Sequence, residues 1–127
     1  MTAKRIQRLG DLQLRIMRVL WERGPAYVAE VQAALSDDKL AYTTVATMLR
    51  KMEARGLVRH REDGRRFVYE AAVTESLVTR SMSDDLVDRL FGGSLTEAVS
   101  HLLEHREVSR EELAQLEQLI REHKKSR

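Results

Sequence analysis

Apolar residues first recur at helical spacing between residues 11 and 23, where Leu12, Ile16, Val19 and Leu20 share a face that Leu14, Met17 and Trp21 widen. Gln13, Arg15, Arg18 and Glu22 take the opposite side. The segment predicts an amphipathic helix with Asp11 as its N-cap and Gly24-Pro25 as its stop. Ala26-Tyr27-Val28 then reads as a minimal strand or bridge, and Val28, Val31 and Leu35 recur at helical spacing up to a polar turn at Ser36-Asp37-Asp38. Residues 42–55 place Val45, Met48, Leu49 and Met52 on one stripe, with Gly56 just past the end. The other side carries two rows, Thr43, Ala46 and Arg50 beside Thr44, Thr47 and Lys51. That helix has an apolar back and a front of small hydroxyls followed by cations.

Two β-prone runs follow, Leu57-Val58-Arg59-His60-Arg61 and Arg66-Phe67-Val68-Tyr69-Glu70, and the Asp63-Gly64 pair between them is a strong hairpin signal. Three helices and then a hairpin with arginines at its tip is the order of a winged helix-turn-helix. From Thr74 the pattern is helical throughout, with apolar positions at Leu77, Met82, Leu86, Val87, Leu90 and Phe91, at Leu95, Ala98, Val99, Leu102 and Leu103, and at Leu113, Leu116, Leu119 and Ile120. Ser94-x-x-Glu97 and Ser109-x-x-Glu112 both match the capping box, in which hydroxyl and carboxylate satisfy orphan backbone N–H groups. Three short amphipathic helices cannot bury an independent core from so few residues. They need a partner surface, and a second copy of the chain is the simplest one.

The expected architecture is therefore mainly α, with a winged helix-turn-helix DNA-binding domain over residues 1–73 and a helical dimerisation arm over 74–127. The arm would pair through Leu86, Leu90, Phe91, Leu95, Val99, Leu102, Leu103, Leu113, Leu116, Leu119 and Ile120.

Composition agrees with this division and sharpens it. The 127 residues are 43% hydrophobic and 33% charged, enough apolar material for a modest core and too mixed in charge for a disordered tail. The net charge of +2 is a cancellation: residues 1–73 carry 14 Lys and Arg against 9 Asp and Glu, whereas residues 74–127 carry 8 against 11. A basic first part suits a polyanion, and an acidic amphipathic remainder suits helical partners. No apolar run approaches the length of a membrane span, and the N-terminus, MTAKRIQRLGDLQ, lacks the apolar stretch of a signal peptide; the expected location is the cytoplasm, with no membrane insertion. The absence of cysteine removes disulfides, thiolate metal sites and cysteine nucleophiles. No cofactor is expected.

The candidate DNA contacts follow from the helix-turn-helix order, in which the second helix of the motif enters the major groove and its first turns meet base edges. Tyr42, Thr43, Thr44 and Thr47 offer hydroxyls there, and Ala46 offers a methyl that packs on thymine. Arg50 and Lys51 stand one to two turns later, at phosphate distance, and Arg61, Arg65 and Arg66 on the hairpin would clamp the backbone or enter the minor groove. Taken singly, these threonines and arginines equally suit an ordinary solvated surface, and Tyr42 equally suits a staple on the core. It is their combination that points to DNA.

One motif points elsewhere. His101-Leu-Leu-Glu-His105 spells H-x-x-E-H, the inverted zincin pattern, and opens a second reading as a zinc-dependent hydrolase. Catalytic zinc needs a third protein ligand and a cleft, whereas this segment lies in a small helical appendage. A third reading is a helical interaction module whose basic hairpin binds a protein. Asp84, Asp85 and Asp88 read as a solvated acidic face.

The blocks LGDLQLRIMRVLWERGPAYVAEVQAAL and AYTTVATMLRKMEARGLVRHREDGRRFVYEA, with FGGSLTEAVSHLL and VSREELAQLEQLI, resemble the BlaI/MecI/CopY penicillinase-repressor family over about residues 9 to 122. The resemblance implies a homodimeric winged-helix repressor of palindromic operators, without enzymatic activity. It also implies induction by a membrane-embedded sensor metallopeptidase, with cleavage in the region Val99, Ser100, His101, Leu102 and Leu103. The chain has Ser100-His101-Leu102 where staphylococcal members show an Asn-Phe pair. The copper-responsive branch carries a cysteine-rich C-terminus, which a chain without cysteine cannot reproduce.

Overall fold

The computed structural model describes residues 9–126; the first eight residues, part of the stretch read as lacking a signal sequence, and Arg127 lie outside the described residues. In chain order the elements are α1 (Asp11–Arg23), β1 (Ala26–Tyr27), α2 (Val28–Ala34), a 3₁₀ turn (Ser36–Asp38), α3 (Tyr42–Ala54), β2 (Val58–Asp63), β3 (Arg66–Ala71), α4 (Glu75–Phe91), α5 (Leu95–His105) and α6 (Arg110–Lys125). The described residues divide after Asp85 into two compact units, and α4 begins in the first and ends in the second.

In the first unit, the apolar stripes predicted from spacing converge on one core. Ile16, Met17 and Leu20 of α1 meet Val28 and Val31 of α2, Val45, Leu49 and Met52 of α3, Leu57, Val58 and Tyr69 of the hairpin, and Val78 of α4. Leu12, Leu14, Val19, Trp21 and Met48 pack around it, partly buried. Each fully buried aliphatic side chain stabilises such a core by about 1.5–3 kcal/mol relative to exposure. The start of α1 corrects one expectation. Gly10, in extended backbone at φ −79° and ψ 172°, is the N-cap, and its N–H donates to Gln13 Oε1 at 3.3 Å, leaving Asp11 as the first helical residue. There the carboxylate still favours the helix N-terminus, through the macrodipole rather than as a cap.

The sheet has the order β1-β3-β2 and is antiparallel throughout. Ala26 and Tyr27 pair with Tyr69 and Val68, so the minimal strand becomes the third strand of the wing. The hairpin register runs from Val58 opposite Ala71 to Asp63 opposite Arg66, which leaves Gly64-Arg65 as a two-residue turn. Gly64 has φ 65° and Arg65 does not share the positive φ, an arrangement that fits a type II′ turn with glycine at its first central position. At the base of the wing, Trp21 Nε1 donates to the Val73 carbonyl at 2.9 Å and ties α1 to the segment leaving β3.

In the second unit, the hydroxyls of Ser94 and Ser109 accept the backbone N–H groups of Glu97 and Glu112, each at 3.1 Å, so the serine half of both capping boxes is formed. Gly92 and Gly93 stand at φ 57° and 85°, and the Gly93 N–H donates to the Val87 carbonyl at 3.0 Å, which turns the chain out of α4. Little of this unit is buried. Ala98 alone is buried in α5, and α6 buries nothing among the described residues. Ser109→Ala is expected to cost about 1 kcal/mol of helix stability. Thermal unfolding followed by circular dichroism should show the lower midpoint; an unchanged one would mean that the cap contributes nothing.

Candidate nucleic-acid interface

The first turn of α3 is built for an anion. Its N-cap is Ala41, which has no side-chain acceptor, and no acidic residue stands in the first turn. The Ala41 carbonyl takes the N–H groups of Thr44 at 3.1 Å and Val45 at 3.2 Å as the helix begins. A helix N-terminus without a side-chain cap presents backbone donors and the positive end of the macrodipole. Tyr42, Thr43 and Thr44 surround that end and are exposed, Tyr42 with 51% of its surface accessible, so it is not stapled under the core. Thr47 is half-buried, with its Oγ1 accepting from Arg50 Nη2 at 3.3 Å, and Arg50 and Lys51 are exposed. Ala46 sits elsewhere than its row on the helix suggests: it is partly buried against the core, because the covering neighbours reach one position further round α3 than the stripe of larger residues.

The hairpin carries the second part of the surface. Arg61, Arg65 and Arg66 are all exposed, and Arg59 forms a solvent-exposed pair with Glu70, directly opposite, at 3.1 Å. The Arg66 guanidinium stacks on the Tyr27 ring with Cζ 3.5 Å from its centroid, and the Tyr27 hydroxyl donates to the Asp63 carboxylate. That hydrogen bond, with burial second, pushes the Tyr27 hydroxyl above its usual range, so it remains a donor at neutral pH.

A brace links helix and hairpin. His60 of β2 lies with Nδ1 2.7 Å and 2.8 Å from the two carboxylate oxygens of Glu53 in α3, and its backbone N–H donates to Glu53 Oε2 at 3.2 Å. The imidazole stacks on Phe67 at 4.1 Å between centroids and lies 5.6 Å from Tyr69. Burial raises the Tyr69 hydroxyl, with the nearby Glu53 charge adding to it. Sequence reasoning does not single out Tyr27, Asp63, His60 or Glu53. Only the alternation of His60 with Val58 and of Phe67 with Tyr69 hints that these rings share a face.

The candidate dimer residues lie on the helices of the second unit. Leu90, Leu95, Leu119 and Ile120 are 71%, 67%, 62% and 56% exposed, and Leu86, Val99, Leu102, Leu103 and Leu113 are exposed to a lesser degree. Phe91 and Leu116 are half-buried. Val99, Leu102, Leu103, Val108 and Leu116 line a groove of about 280 Å³ together with Arg106, Glu107 and Glu112. The segment Val99, Ser100, His101, Leu102 and Leu103 is helical, inside α5.

In the H-x-x-E-H motif the rings of His101 and His105 stack at 4.2 Å, and His101 lies 5.6 Å from Phe91. His105 Nδ1 is 2.9 Å from the His101 carbonyl oxygen, to which it donates. Among the described residues no group of three or more His, Cys, Asp or Glu gathers to hold a metal, so the motif has no third ligand.

With this geometry in place, comparison with known proteins is direct. A profile of the penicillinase repressor family matches residues 9–122. The chain belongs to the penicillinase repressor family. The penicillinase repressor of Bacillus licheniformis is 32% identical over 122 residues, covering 95% of each chain. The transcriptional regulator BlaI of Mycobacterium tuberculosis is 36% identical over 121 residues, 89% of this chain and 88% of that one. The solution structure of the DNA-binding domain of the repressor BlaI superposes with a TM-score of 0.51 at 32% identity, covering 57% of this chain and 89% of that domain. This member of the family is thus a winged-helix transcriptional repressor and not an enzyme, which sets the hydrolase reading aside. No helix among its described residues is long and apolar enough to cross a membrane.

Proposed function

We propose that this repressor acts in the cytoplasm as a homodimer on a palindromic operator, with residues 1–73 as the reading head and 74–127 as the arm that joins two heads. The observation that carries the reading is the pairing of an uncapped α3 N-terminus, ringed by exposed hydroxyls, with an arginine-bearing wing braced to the same helix. Thr43, Thr44 and Thr47 meet base edges, with Tyr42 beside them, and Arg50, Lys51, Arg61, Arg65 and Arg66 meet phosphates. Ala46 contributes through the position of the helix, since its methyl is partly occupied by the core.

The exposed leucines of α4, α5 and α6 support the dimer. Contiguous apolar surface on amphipathic helices is costly in water, and a two-fold copy covers the same patch on both chains. Release of the operator follows from loss of the arm, by a membrane sensor metallopeptidase or another signal. Cleavage between Val99 and Leu103 requires α5 to open locally, and a helix that buries only Ala98 opens at low cost.

A duplex carrying the promoter upstream of the chain's own gene tests the head. Arg65→Ala is expected to weaken binding to all sequences alike and to flatten the dependence of log Kd on log salt by about 0.9 for each phosphate that is no longer neutralised. Thr44→Ala is expected to lower the preference for the promoter over unrelated DNA by about tenfold, the order of one base-edge interaction. A Thr44→Ala protein with unchanged preference would remove α3 as the reader.

A further inference from the structure

We propose that Tyr27 is the positioning residue of the wing: it draws the Asp63 carboxylate away from Arg66 and holds the Arg66 guanidinium ready for a DNA phosphate. The inference rests on the operator reading and deepens it by assigning the element that sets the wing's charge. Tyr27 belongs to no DNA-contacting element. It stands in β1, at the entry to α2, and reaches the hairpin tip only because β1 pairs with β3.

Its backbone is held from two sides. The amide N–H donates to Glu30 Oε1 at 2.9 Å, and Glu30 in turn pairs with Arg23 of α1 at 2.8 Å. Strand pairing with Val68 fixes it against the wing. From this base the side chain makes two contacts with different chemistry. Its hydroxyl donates to the Asp63 carboxylate, and its ring carries the Arg66 guanidinium at 3.5 Å.

Asp63 and Arg66 are directly opposite in the hairpin register, where opposite charges attract. An arginine paired with that carboxylate brings no net charge to a phosphate. Stacking uses the face of the guanidinium and leaves its in-plane N–H donors for an oxyanion, while the hydroxyl gives Asp63 another partner. Tyr27 therefore acts on DNA through both residues without touching it.

The test measures the full chain by fluorescence anisotropy on its own promoter duplex and on an unrelated duplex, over a range of salt. Tyr27→Ala is expected to weaken both complexes about tenfold, the order of one charge-assisted contact per head, and to flatten the salt slope as Arg66→Ala does. Adding Arg66→Ala to Tyr27→Ala should change nothing further; additive losses would overturn the coupling. Tyr27→Phe retains the ring and covers the case in which the alanine variant does not fold. It should weaken binding about threefold by leaving Asp63 free to pair with Arg66, and Asp63→Asn in the same chain should restore it. If the wild-type chain binds DNA and both Tyr27 variants match it, the role of Tyr27 is overturned alone. A wild-type chain that binds neither duplex overturns the operator reading and this inference with it.

Discussion

A chain ended after Gly93 is expected to be monomeric and to bind its operator roughly 10² to 10⁴ times more weakly than the full protein, because the second head is no longer held at high local concentration. The head should survive the truncation. Its buried core lies between Leu9 and Val78, with Met82 packed against it, so every large buried side chain of the first unit remains in place. The truncation removes α5 and α6 with Leu95, Val99, Leu102, Leu103, Leu113, Leu116, Leu119 and Ile120. Sedimentation velocity gives the state of association, and anisotropy on the promoter duplex gives the affinity. A folded monomer that binds as tightly as the full chain would remove the arm from the mechanism.

Leu49→Ala is expected to cost about 2–5 kcal/mol, a large fraction of the stability of a domain this small. Leu49 is fully buried on the back of α3, between Val45 and Met52 on the same stripe. Truncating it leaves a cavity under the helix whose front carries Thr47 and Arg50, so the substitution loosens the reader without altering its chemistry. Urea unfolding should show a lower midpoint with an unchanged slope. Adding operator DNA should recover part of the loss, since a ligand that binds only the folded state stabilises it by mass action. An unchanged midpoint would mean that Leu49 is not a structural anchor.

The parts of this fold legible in the sequence are those set by neighbours along the chain. Val45, Leu49 and Met52 declare the back of α3 by spacing alone, Ser94 and Ser109 mark the starts of α5 and α6, and the Asp63-Gly64 pair places the hairpin to within one residue of its turn. Spacing identifies a stripe but not its width, and that is why it puts Ala46 on the front of α3 although the core reaches it. The cap of α1 falls one residue before the expected Asp11 because it depends on the backbone angles of Gly10 rather than on the better side chain next door. Contacts across the fold leave almost no local signal. Tyr27 and Asp63 are 36 positions apart, and Arg55 reaches Gln13, 42 positions away, at 2.7 Å. The amphipathic arm can be read as unpartnered, since its helices are apolar on one side and too few to enclose each other.

The Glu53–His60 brace has a kinetic meaning. With the imidazole held by the carboxylate and stacked on Phe67, the reading helix and the wing reach DNA as one preorganised body. Little ordering is left to accompany contact. Encounter is then governed by the steering of a basic head toward a polyanion, and differences among operators are expressed in how long the complex persists rather than in how fast it forms.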